Sequence, residues 1–213
     1  MTTSSEESWL EDRNQRNIFT TLLINARSLL PKLESFRKIL KELCADICLV
    51  TETWFRETEK INDEIADFTN KTGYCFLRRD RKDRRGGGIA ICYKKEKIAM
   101  SKAKIPPSKH EIYAAIGRRR GQRRKIAVLV AYVPPWYNAQ QNKSFYKAAN
   151  DALMTIRNKY VDPYVIVGGD FNRRSLREAT REYPDITQIA TGPTRADSTL
   201  DIIATNFLSL IHI

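Results

Sequence analysis

Residues 165–174 read "VIVGGDFNRR", a β-branched run closed by two glycines, an acid and an amide. A short run that is apolar at successive positions reads as a strand covered on both faces. Three other segments share the pattern: "IFTTLLIN" ends in Asn25, "ADICLVTE" in Glu52 and "IAVLVAY" in Tyr132. Four such strands, each closed by a polar residue, place Asn25, Glu52, Tyr132 and Asp170 as candidates to gather at one rim of a sheet. Glycines before an acid let the backbone turn tightly and leave the side chain open to a ligand.

Two helices fit between these strands. "SLLPKLESFRKILKELC" (28–44) carries Leu29, Leu33, Phe36, Leu40 and Leu43 as one apolar stripe, with Ser28 as N-cap and Pro31 in the first turn. "NKSFYKAANDALMTIRNKY" (142–160) puts Phe145, Ala149, Ala152 and Ile156 on one face. Between the helices the chain reads as antiparallel hairpins. "GYCFLRRD" and "GIAICYKKE" flank the basic loop "RKDRRGG", and "IYAAIGRRR" pairs with "RKIAVLVAYVPP" through a turn at Gly121 and Gln122. The triple glycine 86–88 lacks the Lys-Ser/Thr of a phosphate-binding P-loop and opens a strand rather than a helix. The pattern is one α/β domain, strand-rich, with helices outside.

The chain has 213 residues, 42% hydrophobic and 29% charged, an ordinary globular balance. No apolar run approaches the ~18 residues of a membrane span. The polar start "MTTSSEESWLEDRNQRN" lacks a signal-peptide core, so residues 1–16 read as a flexible leader and 17–213 as the domain. Cys44, Cys48, Cys75 and Cys92 have no histidine near them in sequence and read as reduced structural residues. Lys and Arg number 37 against 25 Asp and Glu, a net charge of +12. The excess sits in "RRDRKDRR" (78–85), "KKEK" (94–97), "GRRRGQRRK" (117–125) and "NRRSLR" (172–177). Clusters of this kind suit a polyanionic partner, nucleic acid above all, and for any one cluster a solvated hairpin tip serves equally well.

The rim supplies carboxylates, amides and a phenol, with no Ser-His pair and no reactive cysteine. Carboxylates with oxygen-rich neighbours suit a hard divalent ion such as Mg2+. A metal, a carboxylate base and amide donors together can hydrolyse a phosphodiester.

"LLINARSLLPKLESF", "DICLVTETWF", "GGGIAICYKK", "VAYVPP", "VIVGGDFN" and "PTRADSTLDIIATN" resemble, in order, the motifs of the endonuclease/exonuclease/phosphatase superfamily. They look most like the apurinic-endonuclease-like domain of non-LTR (LINE-type) retrotransposons, over residues 17 to 207. The resemblance implies a four-layered α/β sandwich, two packed mixed β-sheets flanked by helices. It implies an Mg2+-dependent nuclease (Mn2+ as substitute) that nicks one strand of double-stranded DNA and leaves a 3′-hydroxyl to prime reverse transcription. By position, Glu52 would bind the metal, and Asn25 would help place metal or phosphate. Tyr132 would contact the scissile phosphate, Asp170 would orient or deprotonate water, and Asn172 would hold the phosphate. Asp201 matches the acid that steadies a histidine. Thr194, Arg195 and Ser198 would contact or shape the DNA, and Arg173 and Arg174 could grip its phosphates. A monomer acting in the nucleus, followed by a reverse transcriptase domain, completes the expectation.

The family's closing Ser-Asp-His strand does not follow. The chain stops at "NFLSLIHI", where His212 follows Ile211 rather than an acid. The fold is therefore expected to lack its final strand, with weak activity. His110 reads as a loop residue, and Trp54 and Trp136 either wall the cleft or pack beneath it. Two rivals stay open: a catalytically impaired DNA-binding remnant of the same domain, and a phosphatase of the same superfamily.

Overall fold

The computed structural model describes residues 19–82, 85–189, 200–207 and 210–212. The leader lies outside them.

Two sheets pack face to face. In the first, β1 (Thr20–Asn25) and β2 (Ile47–Thr51) run parallel, Asn25 beside Thr51. β4 (Ile89–Lys94) pairs antiparallel with β2 and with β3 (Tyr74–Arg79). In the second, β5 (Ile98–Lys102), β6 (Glu111–Arg119) and β7 (Lys125–Tyr132) form an antiparallel meander. β8 (Tyr164–Asp170) joins parallel to β7, and β10 (Asp201–Thr205) lies antiparallel between β8 and β9 (Thr187–Gln188). The "VIVGGD" run shows why both faces must be apolar. Ile166 joins Leu23, Leu49, Ile91, Val128 and Ile203 between the sheets, while Val165 and Val167 face outward onto Phe145, Ala149 and Leu153.

Helices close the outer faces. α1 (Leu33–Glu42) and α2 (Glu59–Thr72) cover the first sheet through Phe36, Leu40 and Phe68. α3 (Ala139–Lys159) covers the second, followed by the single turn α4 (Leu176–Ala179). The result is the four-layered sandwich that the motifs implied.

Three local readings change. Ser28 caps no helix: its backbone is left-handed (φ 77°) and its N–H donates to the Glu52 carbonyl at 2.9 Å. The segment after β1 is tied to the exit of β2, and a 3-10 turn Leu30–Lys32 containing Pro31 precedes α1. α2 is a third helix that the two-helix reading omitted. Its stripe is thin, Phe68 buried with Ile61 and Ile65 partly so, but Thr58 caps its start and left-handed Gly73 its end. Finally, β11 (Leu210–His212) lies parallel to β1, with Leu22 beside His212. The fold, expected to lack its final strand, thus carries these three residues as a strand at the edge beside β1. No helix among the described residues is long and apolar enough to cross a membrane.

Candidate active site

Parallel pairing within each sheet brings the C-terminal ends of β1, β2, β7 and β8 to one rim, the place where α/β sheets hold ligands. Asn25 and Asp170, from different sheets, meet there: the Asn25 amide Nδ2 donates to Asp170 Oδ2 at 2.9 Å and to Glu52 Oε1 at 3.2 Å. Tyr132 lies beside Asp170 across the β7–β8 pair, and Asp201 opposite it across β8–β10. All six residues assigned catalytic roles from the sequence therefore converge, Asn172 being the sixth.

The two glycines before Asp170 are there for space. A Cβ on Gly169 would stand 1.8 Å from the Ala131 carbonyl oxygen, and one on Gly168 would stand 2.6 Å from Leu49 Cδ1 of the facing sheet. Without side chains at these positions β8 can press against β7 and against the inner core at once. Beyond the strand, Asn172 turns left-handed (φ 44°) and its N–H donates to Asp170 Oδ1 at 3.0 Å. Its side-chain amide donates to the Val133 carbonyl at 2.9 Å, clamping the turn onto the end of β7.

Six of the eight non-glycine residues with left-handed backbone among the described residues lie at this rim: Arg27, Ser28, Glu52, Trp54, Asn172 and Arg173. For Glu, Trp and Arg that geometry carries strain, which accumulates where side chains are aimed for function. Burial, and next the charge of Asp201, push the Asp170 carboxyl up to about 6, against opposing donation from the Asn172 N–H and Asn25. Burial, with Glu52 and Asp170 adding to it, pushes the Tyr132 phenol up as well. Tyr132 is therefore a neutral donor at neutral pH.

The triple glycine is a brace for the Glu52 loop. Thr53 N–H donates to the Gly88 carbonyl (3.1 Å) and Trp54 N–H to the Gly87 carbonyl (2.9 Å). Gly88 N–H donates to Glu111 Oε2 at 2.7 Å, Arg81 Nε to Glu111 Oε1 at 2.6 Å, and the Arg81 guanidinium lies 5.7 Å from the Tyr132 ring centre. Arg81 and Glu111 were not singled out from the sequence, because their partners are 30 residues apart and no spacing rule joins them.

The basic cluster 78–85 is partly internal. Arg79 donates to the carbonyls of Ser108 and Ile112, and Arg78 to Asn62 and Asp80. Arg174 is corrected in the same way: its guanidinium donates to Asn142, Asn172, Pro135 and Tyr137, so it locks the "YVPP" loop and has no free fork for phosphate. Arg173 is exposed. Thr194, Arg195 and Ser198 lie outside the described residues. His110 is buried, with Nδ1 at 3.0 Å from Tyr137 Oη and Nε2 at 2.9 Å from Ser144 Oγ, a packing role beneath the loop that follows β7. Trp54 is half-buried beneath Arg85, and Trp136 is 53% exposed. The four cysteines are free thiols, and burial pushes those of Cys48 and Cys92 up, which keeps them inert.

No group of three or more His, Cys, Asp or Glu among the described residues forms a ready cage for a metal. Glu52, through its carboxylate, and Asn25, through its Oδ1, instead offer a sparse oxygen set, which fits Mg2+, an ion that keeps several waters and takes one or two carboxylates plus substrate phosphate.

A model of the Endonuclease/Exonuclease/phosphatase family matches residues 21–204. The fold is similar to the human Nocturnin catalytic domain with bound sulfate (14% identity, 86% of this chain and 79% of that chain, TM-score 0.60). It is similar to D. rerio TDP2 complexed with single strand DNA product (14%, 88% and 83%, 0.58). It is also similar to the Bacteroides thetaiotaomicron mannosyl-6-phosphatase Bt3783 (14%, 88% and 84%, 0.58). No curated protein matches the chain by sequence.

Proposed function

The chain belongs to the endonuclease/exonuclease/phosphatase family, and on that footing we propose that it is a divalent-metal-dependent DNA endonuclease. It nicks one strand of a duplex and leaves a 3′-hydroxyl, which in a LINE-type retrotransposon would prime reverse transcription by a domain that follows this one. The reading includes a monomer acting on nuclear DNA.

The observation that carries it is the Asn25 amide shared between Glu52 and Asp170 across two sheets. It holds one carboxylate for a metal and the other for water, side by side. When bound by Glu52 and Asn25, Mg2+ (or Mn2+) supplies Lewis-acid stabilisation of charge on the phosphate. The protein does the rest. Asp170, with a carboxyl near 6, is mostly ionised at neutral pH and accepts the proton of the attacking water. Tyr132 donates its phenolic hydrogen to a phosphate oxygen. As water oxygen bonds to phosphorus the bond to O3′ breaks, and O3′ takes up a proton. Arg173, Lys82 and Arg85, exposed around the rim, suit a polymeric phosphate better than a small one. That a relative, TDP2, is described with a single-strand DNA product supports the choice of DNA.

The test is incubation with supercoiled plasmid and Mg2+, with EDTA and Asp170→Ala controls, followed by polymerase extension from the nick. Metal-dependent nicking that Asp170→Ala abolishes, with extendable ends, is expected. Turnover of a sugar phosphate without nicking would replace the reading with a phosphatase. Plasmid binding without nicking would replace it with a DNA-binding remnant.

A further inference from the structure

Strand direction sorts the basic clusters between the two ends of the sandwich. β7 runs from Lys125 to Tyr132, so the β6–β7 turn and the catalytic rim stand about 23 Å apart at 3.3 Å per residue. "RRRGQRR" (118–124) makes that far turn. A second basic segment joins it: Arg120 N–H donates to the Lys97 carbonyl at 2.8 Å and Arg120 Nε to the Lys95 carbonyl at 3.2 Å. Two clusters distant in sequence thus form one patch.

Among the described residues its charges are largely uncompensated. Lys95, Arg118, Arg120 and Arg123 are exposed, and none of the four has an ion-pair partner among the described residues. The nearby acids are already engaged, Glu96 with Lys94 and Asp162 with Arg124, each at 2.8 Å. A surface built for solubility intersperses both signs. Four like charges held on two adjoining turns repel each other until a polyanion covers them.

We propose that this pole is a second binding surface for a phosphodiester backbone, holding a nucleic-acid segment other than the one at the rim. Three of the four cations are arginines, whose planar forks match phosphate oxygens. A duplex seated on the rim reaches the far pole only by wrapping the whole domain, which its stiffness opposes. Among the described residues, the most exposed large apolar side chain at this pole is Val161, 96% exposed, too little to anchor a membrane. The inference concerns binding alone and does not depend on what the rim hydrolyses.

The experiment compares the wild-type protein with R118E/R120E/R123E and with the charge-preserving R118K/R120K/R123K, in EDTA. Anisotropy of a short labelled duplex and of a single-stranded RNA is followed against salt. The charge reversal is expected to lower the slope of log K against log[salt] by about two to three units, and the Lys variant to keep most of it. Wild-type protein loaded on an immobilised duplex should also capture the labelled RNA, and the reversal variant should not. An unchanged slope and unchanged capture would overturn the proposal. So would binding to phosphatidylserine vesicles that the reversal abolishes while nucleic-acid binding persists. A protein that bridges two nucleic acids yet never nicks would leave this proposal standing and remove the nuclease reading.

Discussion

Asp201 stands directly across from Asp170 in the antiparallel pair of β10 and β8. Its charge is second only to burial in raising Asp170 to about 6. A base of that kind works only when ionised. The nicking rate should therefore rise with pH through about 6 and level off above it. Asp201→Asn removes the like charge, lowers the Asp170 pKa and moves this limb to more acid pH. Initial rates on plasmid across that range, at fixed Mg2+, measure the shift. A limb unmoved by Asp201→Asn would remove Asp170 as the titrating base.

Asp170→Asn separates function from stability. Loss of the base should slow nicking about 10²–10⁴-fold. The folded-state pKa of Asp170 lies above its ordinary 3.8, so the folded state favours its protonated form. The stability this gives is full below pH 3.8 and is lost as pH rises through about 6. A neutral Asn escapes the loss. The variant should gain up to about 3 kcal/mol at neutral pH, and its Tm advantage should shrink on acidification. Thermal melts at two pH values give the answer.

Arg81→Ala tests the brace. The Arg81 and Glu111 side chains are 8% and 12% exposed. Removing one partner of so buried a pair costs about 3–5 kcal/mol. It also frees Glu111 from holding Gly88 and uncovers the Tyr132 ring. A lower urea midpoint together with slower nicking is expected. Slower nicking at unchanged stability would mean that Arg81 touches substrate instead.

Gly169→Ala and Gly121→Ala contrast two reasons for glycine. At Gly169 a Cβ would lie 1.8 Å from a backbone oxygen, whereas at Gly121, with φ +81°, nothing lies within 4 Å. The first should cost more than about 3 kcal/mol and prevent soluble folding. The second should cost about 1 kcal/mol of left-handed strain. Soluble yield and circular dichroism distinguish them.

The rim was legible because each of its residues ends an apolar run, and runs covered on both faces have to be interior strands. Asn25, Glu52, Tyr132 and Asp170 follow from that rule alone. Asn172 follows from its place two residues beyond Asp170, whereas Asp201 needed the family motifs as well. What stayed hidden depends on contacts between distant segments. The Arg174 fork is filled by carbonyls of Pro135 and Tyr137, and charge in the sequence does not reveal whether such a partner exists. α2 was missed because its buried stripe is thin. Ser28 resembled a helix cap, but its N–H is drawn to Glu52. The charge total was readable from composition, while its division between two poles required the strand directions.

The 2.9 Å bond from Asn25 to Asp170 crosses the seam between two layers whose inner faces meet through smooth apolar packing. It behaves like the scale of a vernier. A slide of about 1 Å between the layers carries this bond beyond useful length, while every strand remains paired within its own sheet. Pressure, cold or an enlarged inner side chain at Leu49 would thus dim turnover before any spectroscopic sign of unfolding. Catalysis would be the earliest gauge of slippage in this sandwich.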